Sequence, residues 1–175
     1  MSNPTKSQLY QSVGLHFHSK SEHKLSGVQY DSEMHIVFKQ SGASVMEDTF
    51  CVIGVLFKCE EFEASEHERK LFTSFHPELP NQALSINLGE LMERTLLKSM
   101  KFLHYKGSLT TPPCTEAVNW FVHPKVFSLR SADLKPFAEK WSENMEFCPE
   151  GTGNSRPVCS LNNRTIYKIK AQPMD

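Results

Sequence analysis

The amino-acid sequence predicts a mainly β protein with a few short helices. Three runs in the first third of the chain are short and rich in β-branched or aromatic residues, and polar turns separate them. Helical patterns elsewhere are short. Since its 175 residues show no internal repeat and no recognisable linker, the chain is predicted to form a single domain over residues 1–175.

The first strands are predicted at Ser12–His18, Glu33–Lys39 and Cys51–Lys58. The polar stretch Ser19–Leu25 predicts a tight connection between the first two of them. A tight connection favours antiparallel pairing, because parallel strands need a long crossover.

Helical signals are found in three places. Glu63–Phe75 carries a weak helical pattern, and Leu84–Leu97 is ambiguous between a helix and an extended segment. Asp133 predicts the N-cap of a helix that runs through Trp141. Pro136 would then lie in the first turn, where its missing N–H does no harm.

Two further extended segments follow the middle of the chain. Val118–Val122 predicts a buried strand on which Val118 and Trp120 share one face. After Cys148 the tail is rich in glycine, asparagine and proline, which predicts loop as far as Thr165–Ile169.

Composition excludes several classes of partner. Charged residues make up 22% of the chain and the net charge is -1, so no strong field favours nucleic acid or an acidic membrane surface. The longest apolar run, Cys51–Phe57, is too short to span a bilayer. Residues 1–14 lack the apolar segment of a signal peptide, and the compartment stays unknown. Five cysteines without a CxxC spacing leave two readings open, free thiols and a disulfide framework.

Three histidines predict a metal site. His16 and His18 are two apart on a predicted strand, so they point to the same face, and His35 can join them from the neighbouring strand. Three imidazoles with an open fourth position are typical of catalytic zinc. Glu33 shares a face with His35 and can orient its ring. The other histidines are predicted to be surface residues: His67, His76, His104 and His123.

A second informative segment is Tyr105–Cys114, in which two threonines precede two prolines. The prolines predict a rigid loop that can hold a hydroxyl beside a metal site. An ordinary surface turn is the alternative reading.

Together these segments resemble the α-class carbonic anhydrases. The matching stretches follow the family's order: Leu15–His18, Ser21–His23, Glu33–Val37, Val52–Leu56, Gly107–Pro113 with Glu116 and Trp120, and Asn154–Pro157 with Arg164. The resemblance implies a twisted, largely antiparallel central sheet of the α-carbonic anhydrase type that lacks its N-terminal part. It also implies reversible hydration of carbon dioxide to bicarbonate and a proton, by attack of zinc hydroxide.

The resemblance implies a catalytic role for three residues. Thr110 would accept a hydrogen bond from the zinc hydroxide and pass its own proton to Glu22, while Thr111 would line the bicarbonate site. The implied zinc ligands are His16, His18 and His35. The resemblance also implies supporting contacts. Glu33 would orient His35, and the carbonyl oxygen of Asn154 would accept the N–H of His18. His23 and Tyr105 would support the loop. The apolar wall for carbon dioxide would consist of Val37, Val52, Leu109, Val118 and Trp120.

The chain departs from the family pattern near its start. Only thirteen residues precede Gly14, where relatives carry a longer section that usually includes a histidine proton shuttle. Gly14 replaces the family's glutamine, so His16 loses a side-chain partner, and the connection from His18 to Glu22 is shorter than usual. We expect an exposed sheet edge that self-associates or takes a completing partner. Cys114 points to a secreted ancestor.

Alternative functions follow from the same observations. The chain could be a catalytically weak or inactive carbonic-anhydrase-like scaffold or assembly subunit, or a fragment of a longer enzyme. A zinc protease is disfavoured, because the sequence has no HExxH motif. Zinc content and a hydration assay separate the active enzyme from the scaffold.

Overall fold

The computed structural model describes residues 9–42, 50–60, 64–73, 101–142 and 153–171. The predicted segment Leu84–Leu97, His76 and the side chain of His67 lie outside the described residues. Strands and helices follow in this order along the chain: β1 (Tyr10–Ser19), β2 (Lys24–Leu25), β3 (Val28–Gln29), β4 (Ser32–Gln40), β5 (Phe50–Cys59), α1 (Glu66–Thr73), β6 (Lys101–Gly107), β7 (Val118–Leu129), α2 (Ser131–Ser142) and β8 (Tyr167–Lys170).

Six strands form one sheet in the order β1-β4-β5-β7-β6-β8, and β2 pairs with β3 in a separate hairpin. Every neighbouring pair in the large sheet is antiparallel except β5 with β7, which is parallel. The prediction of a mainly β fold with a largely antiparallel central sheet is therefore confirmed.

The two faces of the sheet carry different chemistry, because successive side chains alternate between them. One face is an apolar core in which Phe17, Met34 and Ile36 pack with a group of buried aromatic residues: Phe57, Phe72, Phe102, Phe127 and Phe137. The opposite face carries His16, His18 and His35 on the two strands β1 and β4. Packing in this core therefore holds in place the two strands that carry the histidines.

The predicted strands of the first third are confirmed, each longer by one or two residues at its ends. β1 and β4 are antiparallel, and their register places His16 directly opposite His35. The stretch Ser19–Leu25, however, is not a complete connection. The chain between β1 and β4 also contains the β2–β3 hairpin, which turns at Ser26 and Gly27 with positive φ.

The helix α2 begins two residues before the predicted N-cap. Asp133 lies inside its first turn, where its carboxylate accepts the backbone N–H of Arg130 at 3.2 Å and pairs with Arg69 at 2.7 Å. The acidic residue thus reaches back to the start of the helix, as the third residue of a capping box does. Consequently Pro136 lies in the second turn of the helix and not in the first.

Two more sequence predictions need correction. The segment Tyr105–Cys114 is not all loop, because Lys101–Gly107 forms β6 between β7 and β8. His123 is 1% exposed and accepts the backbone N–H of Lys125 at 3.1 Å, so it is a core residue and not a surface one. His104 is half-buried and lies 3.2 Å from the Asn119 side-chain oxygen.

No helix among the described residues is long and apolar enough to cross a membrane.

Four cysteine thiols in the described part of the chain are free: those of Cys51, Cys59, Cys114 and Cys159. Burial raises the pKa of Cys51 and of Cys59 to about 11, so both thiols are protonated and unreactive at neutral pH.

Candidate metal centre

The three histidines of the sequence prediction converge on one point. His18 Nε2 lies 3.1 Å from His35 Nδ1, and His16 Nε2 lies 3.3 Å from the same atom. All three nitrogens lie within 4.8 Å of one another. His18 and His35 are buried, whereas the side chain of His16 is exposed. The strand register brings them together, since His16 and His35 are cross-strand partners and His18 is two residues further on the same face.

The buried carboxylate of Glu33 decides which nitrogen of His35 carries the proton. Glu33 is 0% exposed, and its neighbours His23 and His35 hold its pKa well below the usual range despite the opposing cost of burial. An ionised carboxylate only accepts hydrogen bonds. His35 Nε2, at 2.9 Å from Glu33 Oε1, is therefore the donor, and the Nδ1 of the same ring presents a lone pair.

A similar argument fixes the ring of His18. Its Nδ1 lies 3.3 Å from the backbone carbonyl oxygen of Asn154 and 3.4 Å from Glu22 Oε1, and both of these atoms are acceptors. Nδ1 is therefore protonated, and Nε2 presents a lone pair to the same point as His35 Nδ1.

This arrangement of nitrogens fits a metal ion. Two imidazole lone pairs that face each other at 3.1 Å repel, and a cation between them removes the repulsion. Ligand nitrogens at about 2.0–2.1 Å from a tetrahedral zinc ion lie roughly 3.3 Å apart, which matches the separations of 3.1 and 3.3 Å. Three imidazole nitrogens are one of the donor sets found at catalytic zinc.

His16 and His18 are also in the protonation state that metal binding needs. Burial, followed by repulsion from His35 and His16, lowers the pKa of His18 to about 3. Partial burial, followed by the electrostatic interaction with His35, lowers the pKa of His16 to about 4. Both rings are neutral at physiological pH, so no proton has to leave before a metal binds.

Behind the histidines, hydrogen bonds form a chain that ends at a tyrosine. His23 Nδ1 donates to Glu33 Oε1 at 2.6 Å, and His23 Nε2 lies 2.6 Å from the Tyr105 hydroxyl. Glu33 Oε2 accepts the backbone N–H groups of Glu22 and His23 at 2.8 and 2.9 Å. Burial raises the pKa of Tyr105, so its hydroxyl stays protonated and can donate to His23. The whole chain immobilises His35.

The carboxyl group of Glu22 lies beside the histidines with one oxygen unsatisfied. Its Oε1 accepts the backbone N–H of Arg156 at 2.7 Å, whereas its buried Oε2 has no hydrogen-bond partner and lies 4.0 Å from His35 Nδ1. Burial raises the pKa of Glu22, and the opposing influences are His35, the Arg156 N–H and the nearby Thr110 hydroxyl. The Thr110 hydroxyl is therefore close enough to hydrogen-bond to the Glu22 carboxyl group.

The five residues predicted to form an apolar wall do pack together. Val52, Val118 and Trp120 form a buried cluster, and Val37 and Leu109 pack against it together with Phe50 and Tyr105. The Trp120 ring centroid lies 4.7 Å from that of His35. The cluster therefore provides a water-poor surface beside the histidines.

Comparison with known proteins agrees with this geometry. The family model of eukaryotic-type carbonic anhydrases matches residues 1–170. Alpha carbonic anhydrase 3 of Arabidopsis thaliana is 32% identical over 159 residues, which are 90% of this chain and 53% of that protein. The chain belongs to the eukaryotic-type carbonic anhydrase family.

Solved carbonic anhydrase structures show the same fold. The alpha-carbonic anhydrase from Thermovibrio ammonificans, in complex with sulfanilamide, is 31% identical with a TM-score of 0.62, covering 87% of this chain and 60% of that one. The halotolerant carbonic anhydrase from Dunaliella salina is 25% identical with a TM-score of 0.69, covering 93% and 61%. The chain spans about half the length of the Arabidopsis relatives that it matches, at 53% and 52%.

Thr111 is the residue that the resemblance assigns to a bicarbonate site. Thr111 is exposed, and its carbonyl oxygen accepts the backbone N–H of Cys114 at 2.9 Å within the loop. Its assignment to a bicarbonate site stays a prediction, as do the catalytic and substrate-binding roles of the other residues.

Sequence reasoning missed several contacts that support the histidines. The Asn154 side chain bridges β1 by accepting the N–H of Ser19 at 2.8 Å and donating to the Phe17 carbonyl oxygen at 3.0 Å. Ser32 Oγ donates to the His18 carbonyl oxygen at 2.8 Å. These contacts depend on backbone positions that are distant in sequence, so no pattern in the sequence signalled them.

A cavity of about 770 Å³ adjoins the Glu22 side of the site. Its lining includes Thr110 and Trp120 together with Arg156 and Arg164. The three histidines are not part of this lining, so the cavity lies beside the proposed metal position and does not enclose it.

Proposed function

We propose that this chain carries the zinc-dependent activity of its family, the reversible hydration of carbon dioxide to bicarbonate and a proton. The observation that carries the proposal is the pair of lone pairs on His18 Nε2 and His35 Nδ1, which face each other at 3.1 Å. Contacts with the Asn154 carbonyl oxygen and with Glu33 favour the tautomers in which both lone pairs are directed at one point, where a metal ion could bind.

His16, His18 and His35 would hold the ion. Zinc bound by three imidazoles with an open fourth position lowers the pKa of a bound water to about 7, and so supplies a nucleophilic oxygen at neutral pH. Glu33 and the carbonyl oxygen of Asn154 accept the outer N–H groups of His35 and His18, which keeps both rings oriented and basic.

Thr110 and Glu22 would orient the reacting groups. Glu22 Oε2 is a buried acceptor without a partner, so it can accept a hydrogen bond from the Thr110 hydroxyl group. With that proton held by Glu22, the Thr110 oxygen can only accept a hydrogen bond from the metal side. A hydroxyl fixed in this way selects one orientation of a donor beside it, which is the role of a preorganised group in catalysis.

The apolar cluster would hold the substrate. Carbon dioxide has neither charge nor dipole, so an apolar surface beside the histidines favours it over water. Val52, Val118 and Trp120 are at most 2% exposed, and Val37 and Leu109 border them.

One observation favours the alternative, a catalytically weak member of the family. His16 is exposed, and its Nδ1 forms no hydrogen bond to the described residues. A liganding imidazole without an outer partner binds metal less tightly, typically by 10–100-fold. The chain would then bind zinc through the same residues but hold it less firmly.

Metal analysis and a hydration assay test the proposal. The purified protein is expected to bind about one zinc per chain and to hydrate carbon dioxide, whereas His18→Ala and His35→Ala should lose both properties. His104→Ala is the matched control, because His104 is half-buried and lies on β6, distant in register from the three histidines. Undiminished zinc in both variants would refute the assignment. If the parent protein binds about one zinc per chain but does not hydrate carbon dioxide, the result would favour a non-catalytic member of the family.

A further inference from the structure

A glycine on β5 lies against the carboxylate that orients His35. In the sheet register, Gly54 pairs with His35 on one side and with Val122 on the other. A Cβ atom at position 54 would point to the same face as His35 and would lie 2.8 Å from Glu33 Oε1. Ordinary contacts of a Cβ atom begin at about 3.4 Å, so the overlap is about 0.6 Å.

The carboxylate cannot move away without losing its hydrogen bonds. Glu33 is 0% exposed, and its two oxygens accept four hydrogen bonds of 2.6–2.9 Å from two backbone N–H groups and the rings of His23 and His35. A retreat of about 0.6 Å along the bond to His35 Nε2 would stretch its 2.9 Å to the outer limit of a hydrogen bond.

Backbone conformation does not explain this glycine. Gly54 has no positive φ, unlike Gly27, Gly42 and Gly153. A residue with a side chain could therefore adopt its backbone angles, although the register of β5 with β7 shifts between Gly54 and Leu56. The closest contact of an added Cβ is with Glu33. The next nearest atom, Val122 Cγ2 at 3.6 Å, is at ordinary contact distance.

We infer that Gly54 is a positioning residue for the metal site: the absence of a side chain there lets Glu33 approach His35 and hold its ring with Nδ1 toward the metal. This inference rests on the proposed function, in that His35 is taken to be a metal ligand. It adds that β5, which contributes no ligand, sets how firmly that ligand is held.

Gly54→Ala tests the inference through zinc affinity, measured by competition with a chelator. We expect a loss of about 10–100-fold, the usual cost of disturbing the partner of a liganding histidine. Gly14→Ala is the matched control, because it also adds one methyl group to a strand glycine on the same face, and nothing lies within 4 Å of its Cβ position. The control should bind zinc within about twofold of the parent.

A second measurement uses the metal-free protein. In nuclear magnetic resonance spectra, the ring N–H protons that His23 and His35 donate to Glu33 should resonate far downfield, because the bonds are short and charge-assisted. Gly54→Ala should shift or remove these signals, and Gly14→Ala should leave them in place.

The Glu33→Asp background provides the rescue. A shorter carboxylate withdraws from position 54, so adding Gly54→Ala there should cost little further zinc affinity. If Gly54→Ala alone fails to fold but the double variant folds, the clash with Glu33 is demonstrated directly. Equal losses in both backgrounds, or failure of both variants to fold, would show that the sheet and not Glu33 requires glycine.

The outcomes separate this inference from the proposed function. A parent and a Gly14→Ala control that bind zinc, with a Gly54→Ala variant that binds it equally well and keeps both downfield signals, would overturn the inference alone. A parent that binds no zinc would overturn the proposed function, and with it the positioning role of Gly54.

Discussion

Replacing Glu33 with glutamine should weaken metal binding without removing any ligand. Glutamine can keep its oxygen on the two backbone N–H groups of Glu22 and His23, so we expect the fold to survive. Its amide NH₂ then faces His23 Nδ1 and His35 Nε2, where the carboxylate accepted at 2.6 and 2.9 Å. At both rings an N–H donor of the glutamine amide then faces an N–H donor of the imidazole, so neither hydrogen bond can form.

The size of the effect follows from the ways in which His35 can respond. If the ring keeps its proton on Nε2, it loses a charge-assisted hydrogen bond worth about 1.5–3 kcal/mol. If the proton moves to Nδ1, that nitrogen has no lone pair for a metal. Both responses weaken binding, so the expected loss is near the upper end of the usual 10–100-fold range for the partner of a liganding histidine.

Chelator competition with purified Glu33→Gln gives the zinc dissociation constant directly. Glu66→Gln is the control, since Glu66 is an exposed carboxylate on α1 whose partner is Lys70. The control should match the parent protein. A Glu33→Gln affinity within about threefold of the parent would refute the argument that Glu33 sets the tautomer of His35.

Three further predictions follow from the site. Thr110→Ala should lower hydration on the order of 10²-fold while zinc content stays the same, because the hydroxyl orients but does not hold the metal; equal rates would make the loop purely structural. Gly14→Gln should tighten zinc binding by about tenfold or more if its amide reaches His16 Nδ1, whereas Gly14→Ala should not; equal dissociation constants would contradict this. In the metal-free protein, urea unfolding should show stability falling as pH drops below about 6.5. Below that pH His18 gains a proton in the unfolded chain, whereas in the folded protein, where its pKa is about 3, the ring stays neutral. His18→Gln should therefore make the dependence of stability on pH shallower.

Much of the site could be predicted from the sequence, because its ligands follow strand periodicity. His16 and His18 are two residues apart, and the strands that carry them and His35 have strong local signals, so the antiparallel pairing and the shared face were both accessible. The apolar cluster around Val118 and Trp120 follows from the same alternation.

The errors arose where tertiary contacts override local signals. Lys101–Gly107 has two lysines and a histidine in seven residues, which masks a strand that is stabilised by β7 and β8 on its two sides. The sequence around Asp133 resembled an N-cap. Its carboxylate instead accepts hydrogen bonds from Arg69 on another helix and from the backbone N–H of Arg130 at the start of its own helix. The role of Gly54 depends on a carboxylate of the neighbouring strand, and no local pattern reveals it.

The most direct test of the central claim is a zinc titration of the metal-free protein with carbon dioxide hydration as the readout. The account predicts no hydration before zinc is added, a rise in rate proportional to added zinc, and a break at about one equivalent per chain. His35→Ala, treated in the same way, should stay inactive across that range. Hydration that is independent of zinc, or a parent protein that binds one equivalent and stays inactive, would contradict the account.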